Sequence, residues 1–192
     1  MASKESTFTN MVLTLFIVTL AASTALGFIY ELTKEPIAEA KARKKNMAIQ
    51  KVVPDYTNKP NDESYEVKVD GYNLTLYPAK KEGKLVGMAV STITNKGYSG
   101  TIRLMVGFKA NGTINNISVL EHAETPGLGD KITKSKSSWS KQFNQKNPDD
   151  FQLQVKKDGG DVDAITAATI SSRAYCDAVQ RAYKAFKKGG NQ

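Results

Sequence analysis

The longest apolar stretch of the chain lies near its N-terminus, where no charged side chain occurs between Asn10 and Glu31. That is about 20 residues, the length that an α-helix needs to cross about 30 Å of hydrocarbon. We therefore expect a short polar N-terminus (residues 1–7) and a transmembrane helix (residues 8–30). A cleaved signal peptide is the alternative, but such peptides begin with a strongly positive segment, and only Lys4 precedes this stretch.

The pattern after the apolar stretch is typical of a helical connection. Residues 37–53 are rich in Ala and Lys, which favour helices, and Pro54 and the polar residues 57–64 then end the pattern. Residues 31–64 are accordingly predicted as a helical stalk and linker. A folded domain is predicted over residues 65–188, with a tail over residues 189–192.

The first half of this domain alternates between β-branched or aromatic positions and turn residues, which predicts strands. Asn111-Gly112 between two such segments is a strong hairpin signal. Further along, we expect a helix over residues 134–144, with Trp139 and Phe143 packed in the core, and a strand over residues 151–155. The predicted strands of the sheet are residues 65–69, 74–78, 85–94, 101–108 and 114–120.

A C-terminal helix is predicted from 3.6-residue spacing. It would bury one apolar face, and the predicted members of that face are Ala174, Tyr175, Ala178, Val179, Ala182 and Phe186. The complete pattern predicts an α+β fold, in which a transmembrane helix and a helical stalk precede an antiparallel sheet flanked by helices.

The segment that opens the last helix, residues 163–173, reads DAITAATISSR and is rich in hydroxyl side chains. A helix N-terminus presents free N–H groups and a partial positive charge, which suit a phosphate. Ordinary capping by Ser or Thr is the simpler interpretation. However, the segment resembles the flavinylation motif D-x-x-[S/T]-G-A-T-x-[S/T] of the FMN-binding domains in the G-type subunit of Rnf complexes and in the C-type subunit of the Na⁺-translocating NADH:quinone reductase. The resemblance implies covalent attachment of the FMN phosphate to Thr169, and Ala167 stands where the motif has Gly.

Two further segments resemble the same family. Residues 121–129, EHAETPGLG, resemble the family's E-x-P-G-L-G loop with an upstream His, which implies that this loop lies against the isoalloxazine ring. Residues 97–100, GYSG, resemble a second family segment, so Tyr98 is expected either in the same pocket or as an ordinary aromatic residue of the sheet. The predicted FMN-binding residues are Thr169, Thr166, Ala167, Ala168, Ser171, Ser172, Thr125, Pro126, Gly127, Leu128, Gly129 and Tyr98.

The resemblance implies a membrane-anchored electron-transfer subunit that is not catalytic alone. Its complex would couple electron flow between ferredoxin and NAD⁺ to Na⁺ or H⁺ transport, with the other Rnf subunits as partners and a flavin transferase for maturation. The alternatives are the C-type subunit of the quinone reductase, a membrane-anchored scaffold with a degenerate flavin site, and a free-standing flavin reductase. The last is disfavoured because no G-x-G-x-x-G fingerprint for a dinucleotide is present.

Charge and composition narrow these possibilities. The net charge is +8, but the Lys residues are scattered and no nucleic-acid-binding module is recognisable, so no nucleic-acid partner is expected. One Cys and one His provide no ligand set for zinc or an iron–sulfur cluster. More positive residues follow the apolar stretch than precede it, which favours a cytoplasmic domain. The family resemblance implies the opposite orientation, with the domain on the outer face of the cell membrane, and we adopt that orientation.

Overall fold

The computed structural model describes residues 7–190. The chain divides into two compact units, one that ends at Arg43 and one that begins at Lys44. Helix α1 (Phe8–Val52) begins in the first unit and ends in the second. Residues 1–6 of the predicted N-terminal segment and residues 191–192 of the predicted tail lie outside the described residues, and Gly189 is the last residue of the final helix.

The described part of the first unit is the apolar part of α1 and its polar continuation. Within residues 7–190, α1 is the one helix long and apolar enough to span a membrane. Its large apolar side chains are exposed, among them Leu15 (66%) and Phe16 (61%). Such a continuous apolar surface is unfavourable in water, and it is typical of a helix that meets lipid or another apolar partner.

The second unit is built on a five-stranded antiparallel sheet in which each strand pairs with the next one along the chain. The prediction of an α+β fold with an antiparallel sheet is confirmed, and all five strands lie where the alternation of residues placed them. The strands are β1 (Tyr65–Val69), β2 (Tyr72–Lys81), β3 (Lys84–Gly97), β4 (Gly100–Lys109) and β5 (Ile114–Glu121).

Both faces of the sheet are covered. One face packs against helix α2 (Thr169–Gly189), and all six residues of the predicted apolar face of that helix are buried. The opposite face packs against the end of α1, where Ile49 and Val52 belong to a second cluster that includes Ala89 and Met105. Because both faces are buried, neighbouring residues of β3 such as Met88, Ala89 and Val90 are all apolar.

The end of α1 is fixed to the sheet by hydrogen bonds. The last carbonyl groups of a helix have no partner within it. Here the side-chain amide of Asn115 donates to the carbonyl oxygen of Val52 (2.8 Å), and that of Asn116 donates to the carbonyl oxygen of Lys51 (2.7 Å). Two side chains of β5 therefore cap the C-terminus of α1.

Two of the predicted elements are wrong. Residues 134–144 do not form one helix, because Ser137 Oγ accepts a hydrogen bond from Trp139 N–H (3.0 Å) and only a 3₁₀ helix, Trp139–Phe143, follows. Residues 151–155 form no strand, although Leu153 and Val155 are buried alternately as predicted. The chain turns back at once, so Val155 makes only an isolated bridge with Val162.

Candidate functional site

The N-terminus of α2 is not capped by a side chain. The cap residue is Ala168, which makes no side-chain hydrogen bond. Within the described chain, the N–H groups of Thr169, Ile170 and Ser171 form no hydrogen bond, whereas Ser172 N–H donates to the Ala168 carbonyl oxygen (3.0 Å). The ordinary capping expected from a segment rich in Ser and Thr is therefore absent here. Three N–H groups and the positive end of the helix dipole remain available to an anion.

The hydroxyl groups of this segment differ in what they contact. Ser172 Oγ accepts from Ile165 N–H (2.9 Å) and donates to the Ala168 carbonyl oxygen (3.0 Å), so it holds the turn that precedes the helix. Ser171 Oγ donates to Glu124 Oε2. Both serines are buried. Thr169 is half-buried, and its hydroxyl makes no hydrogen bond to any of residues 7–190.

Ala167 has a left-handed backbone conformation, with φ of 62°. An L-residue with a Cβ pays about 1–2 kcal/mol to adopt this conformation, whereas Gly adopts it freely. The Gly of the flavinylation motif at this position is thus explained by backbone geometry. Ala167 is also exposed, so its methyl group faces the space in front of the helix.

The loop that carries the T-P-G-L-G sequence is held by its own backbone. The carbonyl oxygen of Thr125 accepts from Leu128 N–H (3.2 Å) and from Asp130 N–H (3.3 Å). Gly127 takes a positive φ of 78° at the turn. Leu128 remains 41% exposed at this turn.

Tyr98 lies at the tip of the hairpin that joins β3 to β4. Gly97 pairs with Gly100, so Tyr98 and Ser99 form a two-residue connection. The Tyr98 side chain is 69% exposed, which contradicts the alternative of an ordinary packed aromatic residue of the sheet.

These three segments meet around one pocket of about 500 Å³. Most of the predicted binding residues line it, whereas Pro126, Gly127, Thr166 and Ser172 do not. Glu124 and Ile170 also line the pocket and were not among the predicted residues. The predicted residues that do line it are Tyr98, Thr125, Leu128, Gly129, Ala167, Ala168, Thr169 and Ser171.

Comparison with known proteins agrees with this arrangement. Residues 97–184 match the model of the FMN-binding domain family, and this range includes all three segments around the pocket. The chain is 41% identical over 162 residues to the G-type subunit of the ion-translocating oxidoreductase complex of Erwinia tasmaniensis, a match that covers 80% of this chain and 77% of the relative. It is 40% identical over 171 residues to the corresponding subunit from Escherichia coli, covering 84% of this chain and 83% of the relative. This chain belongs to the family of G-type subunits of ion-translocating oxidoreductase complexes, the Rnf complexes.

The pocket of this family member suits FMN in size and chemistry. Its volume is within the range of cofactor sites. Exposed apolar or aromatic side chains, Tyr98, Leu128 and Ile170 (48% exposed), border it and offer surfaces for a planar ring. The free N–H groups at the start of α2 offer donors for a phosphate. The residues present therefore fit the cofactor that the matching family is named for.

Both residues that the sequence analysis missed lie next to a recognised motif residue. Glu124 directly precedes T-P-G-L-G, and it is only 4% exposed although it is an acid. Its backbone N–H donates to His122 Nδ1 (3.2 Å), and His122 Nε2 lies 3.2 Å from Thr133 Oγ1. Ile170 directly follows Thr169 in the motif. The importance of both follows from burial and exposure, which residue types alone do not reveal.

The single cysteine lies outside the lining of this pocket. Cys176 is buried on α2 and does not line the pocket. Burial raises the pKa of its thiol to about 12, and the negative charge of Asp158 adds to the effect. The thiol is therefore protonated at neutral pH and is a packed core group.

Proposed function

We propose that this chain is the membrane-anchored, FMN-carrying electron-transfer subunit of an Rnf-type complex, with the FMN phosphate joined covalently to Oγ1 of Thr169. One observation is the main support for this proposal. Among the hydroxyl-bearing residues of the motif, Thr169 alone both lines the pocket and has a hydroxyl that makes no hydrogen bond within residues 7–190. Ser171 and Ser172 are buried and already bonded. Thr166 is exposed and lies outside the pocket lining.

The residues around Thr169 support the attachment. The partial positive charge and free N–H groups of the first turn of α2 stabilise a phosphate diester at its start. The bond formed would be Oγ1–P, with loss of the hydroxyl proton. The bond broken would be a P–O bond of the activated flavin donor used by the transferase. A covalent link keeps the cofactor from dissociating during turnover.

FMN, when bound, accepts two electrons and can release them singly, which suits a relay between carriers of different type. The protein binds the ring, excludes water from part of it and leaves an edge accessible. Tyr98, Leu128 and Ile170, all exposed at the pocket rim, are placed to do this. Since the relatives are named as subunits of a complex, we assign the chain an electron-transfer role that depends on its complex.

Membrane anchoring by α1 and assembly with the other Rnf subunits complete the proposal. The relatives are named as subunits of an ion-translocating oxidoreductase complex. In the proposed complex, electrons pass between ferredoxin and NAD⁺ and drive Na⁺ or H⁺ across the membrane, with the flavin domain on the outer face. Protease added to intact spheroplasts tests the orientation. Cleavage within the domain supports an outer location, and cleavage only after lysis contradicts it.

The attachment is tested by intact mass and peptide mapping of the full chain produced with a flavin transferase. Wild-type protein should gain the mass of FMN minus one water on the peptide that contains Thr169. Thr169→Ala should lose this mass completely, and Thr169→Ser should retain it because the hydroxyl remains. Ser135→Ala, which removes an exposed hydroxyl outside the motif, is the control and should load as wild type does.

Two outcomes contradict the proposal in different ways. Covalent flavin that persists in Thr169→Ala would show that another residue is the acceptor. Wild-type protein that stays colourless, under conditions that load a second domain of the same family, would favour the scaffold with a degenerate site.

A further inference from the structure

Glu124 lies at the junction of the three segments that form the pocket. Its Oε1 accepts a hydrogen bond from Ser99 N–H at the hairpin tip (3.0 Å), and its Oε2 accepts from Ser171 Oγ at the start of α2. Glu124 itself directly precedes the third segment, the T-P-G-L-G loop. One side chain, 4% exposed, thus joins all three.

Two glycines make room for this carboxylate. A Cβ atom at Gly97 would lie 2.7 Å from Glu124 Oε1, and a Cβ atom at Gly129 would lie 2.6 Å from Glu124 Oε2. Neither glycine has a positive φ, so backbone conformation does not require glycine at these positions. Close approach of neighbouring atoms does require it. A Cβ atom at Gly97 would also lie 2.4 Å from the Gly100 carbonyl oxygen, and one at Gly129 would also lie 2.7 Å from Ser171 Oγ. The glycine that opens the G-Y-S-G segment and the glycine that closes the T-P-G-L-G segment therefore both border the Glu124 carboxylate.

Glu124 brings negative charge to the pocket without a cation to balance it. Both of its oxygens accept hydrogen bonds, as those of a carboxylate do. No Lys or Arg forms an ion pair with it in the part of the chain that the structure describes. Because a buried carboxylate without an ion pair is costly to fold, its position at the junction of the three pocket segments points to a role in that site.

We propose that Glu124 is a positioning residue for the flavin, which fixes the hairpin tip and the T-P-G-L-G loop to the start of α2 and whose negative charge lowers the reduction potential of the bound FMN. This inference rests on the proposed function. Reduction adds electrons to the ring, and a negative charge in a poorly solvated pocket opposes that addition.

Three variants distinguish the positioning role of Glu124 from the effect of its negative charge. Glu124→Gln keeps the shape and an acceptor for Ser99 N–H, and its amide N–H can meet Ser171 Oγ, but the charge is lost. Glu124→Ala removes both the bonds and the charge. Glu121→Gln is the matched control. Glu121 is the last residue of β5 and its side chain is 56% exposed, so this substitution removes the same charge outside the pocket.

Each variant is measured as the full chain in detergent. In Glu124→Ala, amide exchange at Ser99 should accelerate about tenfold or more, since a hydrogen bond to a charged acceptor is lost, and covalent loading should fall. Glu124→Gln should retain Ser99 protection and loading. Spectroelectrochemical titration should then give Glu124→Gln a more positive midpoint potential than both wild type and Glu121→Gln.

The outcomes are distinguishable from those of the proposed function. Ser99 exchange and loading of Glu124→Ala equal to wild type would overturn the positioning role. A Glu124→Gln potential equal to that of wild type would overturn the charge role. If wild-type protein takes up no flavin, covalent attachment fails, yet Ser99 exchange in the unloaded variants still decides whether Glu124 holds the segments together.

Discussion

The backbone oxygen of Val52, the last residue of α1, occupies the space that a side chain at Gly107 would need. The end of α1 therefore lies directly on strand β4, with backbone against backbone. The Asn115 amide fixes the same carbonyl oxygen from the adjacent strand. A contact this close leaves no free volume for rearrangement, so we expect the end of α1 and the sheet to unfold together.

Gly107→Ala should destabilise the domain by at least about 2 kcal/mol, because the added methyl group meets backbone atoms that cannot move aside. Urea unfolding followed by the fluorescence of Trp139, the single tryptophan, measures the change. Gly27→Ala is the matched control, since nothing lies within 4 Å of a Cβ atom there. Equal unfolding midpoints for the two variants would contradict the close packing of α1 on β4.

Ala167→Gly should stabilise the domain by up to about 1 kcal/mol, because Gly relieves the left-handed backbone at φ of 62° and this gain exceeds its entropic cost. The variant should also load flavin at least as fast as wild type, since a methyl group leaves the pocket rim. Ala123→Gly, in an exposed loop position without a positive φ, is the control and should lose stability slightly. A loss of stability in both variants would argue against strain at Ala167.

The strands of this fold could be predicted from sequence because each has residues of high β-propensity between clear turn signals. The packing of the end of α1 on the sheet could not. The Ala- and Lys-rich segment 37–53 has the composition of a solvated stalk, yet Ala48, Ile49 and Val52 are buried on the sheet. Val52 and Pro54 approach the sheet closely because residues 107 and 87 on the facing strands are glycines, and a local pattern does not reveal this long-range fit.

The candidate site, too, could be predicted from the sequence only in part. The residues around Thr169 could be located by resemblance, but which hydroxyl is free could not, because that depends on Ser171 reaching Glu124, 47 positions away in the chain. Similarly, the sequence shows that Ala167 stands where the motif has Gly, but it does not show the strained φ that Ala167 adopts. Long-range contacts and backbone angles are the features that local patterns do not contain.

Cys176 should react with a thiol reagent only when the domain unfolds. Its thiol is buried, and burial, with a contribution from Asp158, raises its pKa from 9.0 to about 12. Labelling of the native protein should therefore stay slow from pH 7 to pH 9, and labelling in urea should be fast over the same range. A fast native reaction that rises steeply between these pH values would show that the thiol is accessible and ionises normally.

Asp177 should make the domain sensitive to acid. Its carboxylate accepts hydrogen bonds from Lys96 Nζ (2.6 Å), Thr94 Oγ1 (2.8 Å) and Arg181 (2.8 Å), a side chain that is 5% exposed. Burial alone would raise the pKa of Asp177, but the hydrogen bonds from Lys96 and Thr94 and the charge of Arg181 outweigh it and hold the pKa below its ordinary value of 3.8.

A lowered pKa means that the folded state favours the charged form, so the stabilisation is complete above pH 3.8 and is lost as the pH falls through the lower folded value. Asp177→Asn should therefore reduce the free energy of unfolding by about 1–2 kcal/mol at pH 7, and the difference from wild type should shrink below pH 4. Asp55→Asn, at an exposed position with no ion pair among residues 7–190, should change little at any pH. An Asp177→Asn deficit that persists unchanged at pH 3 would mean that packing, and not the charge, carries the effect.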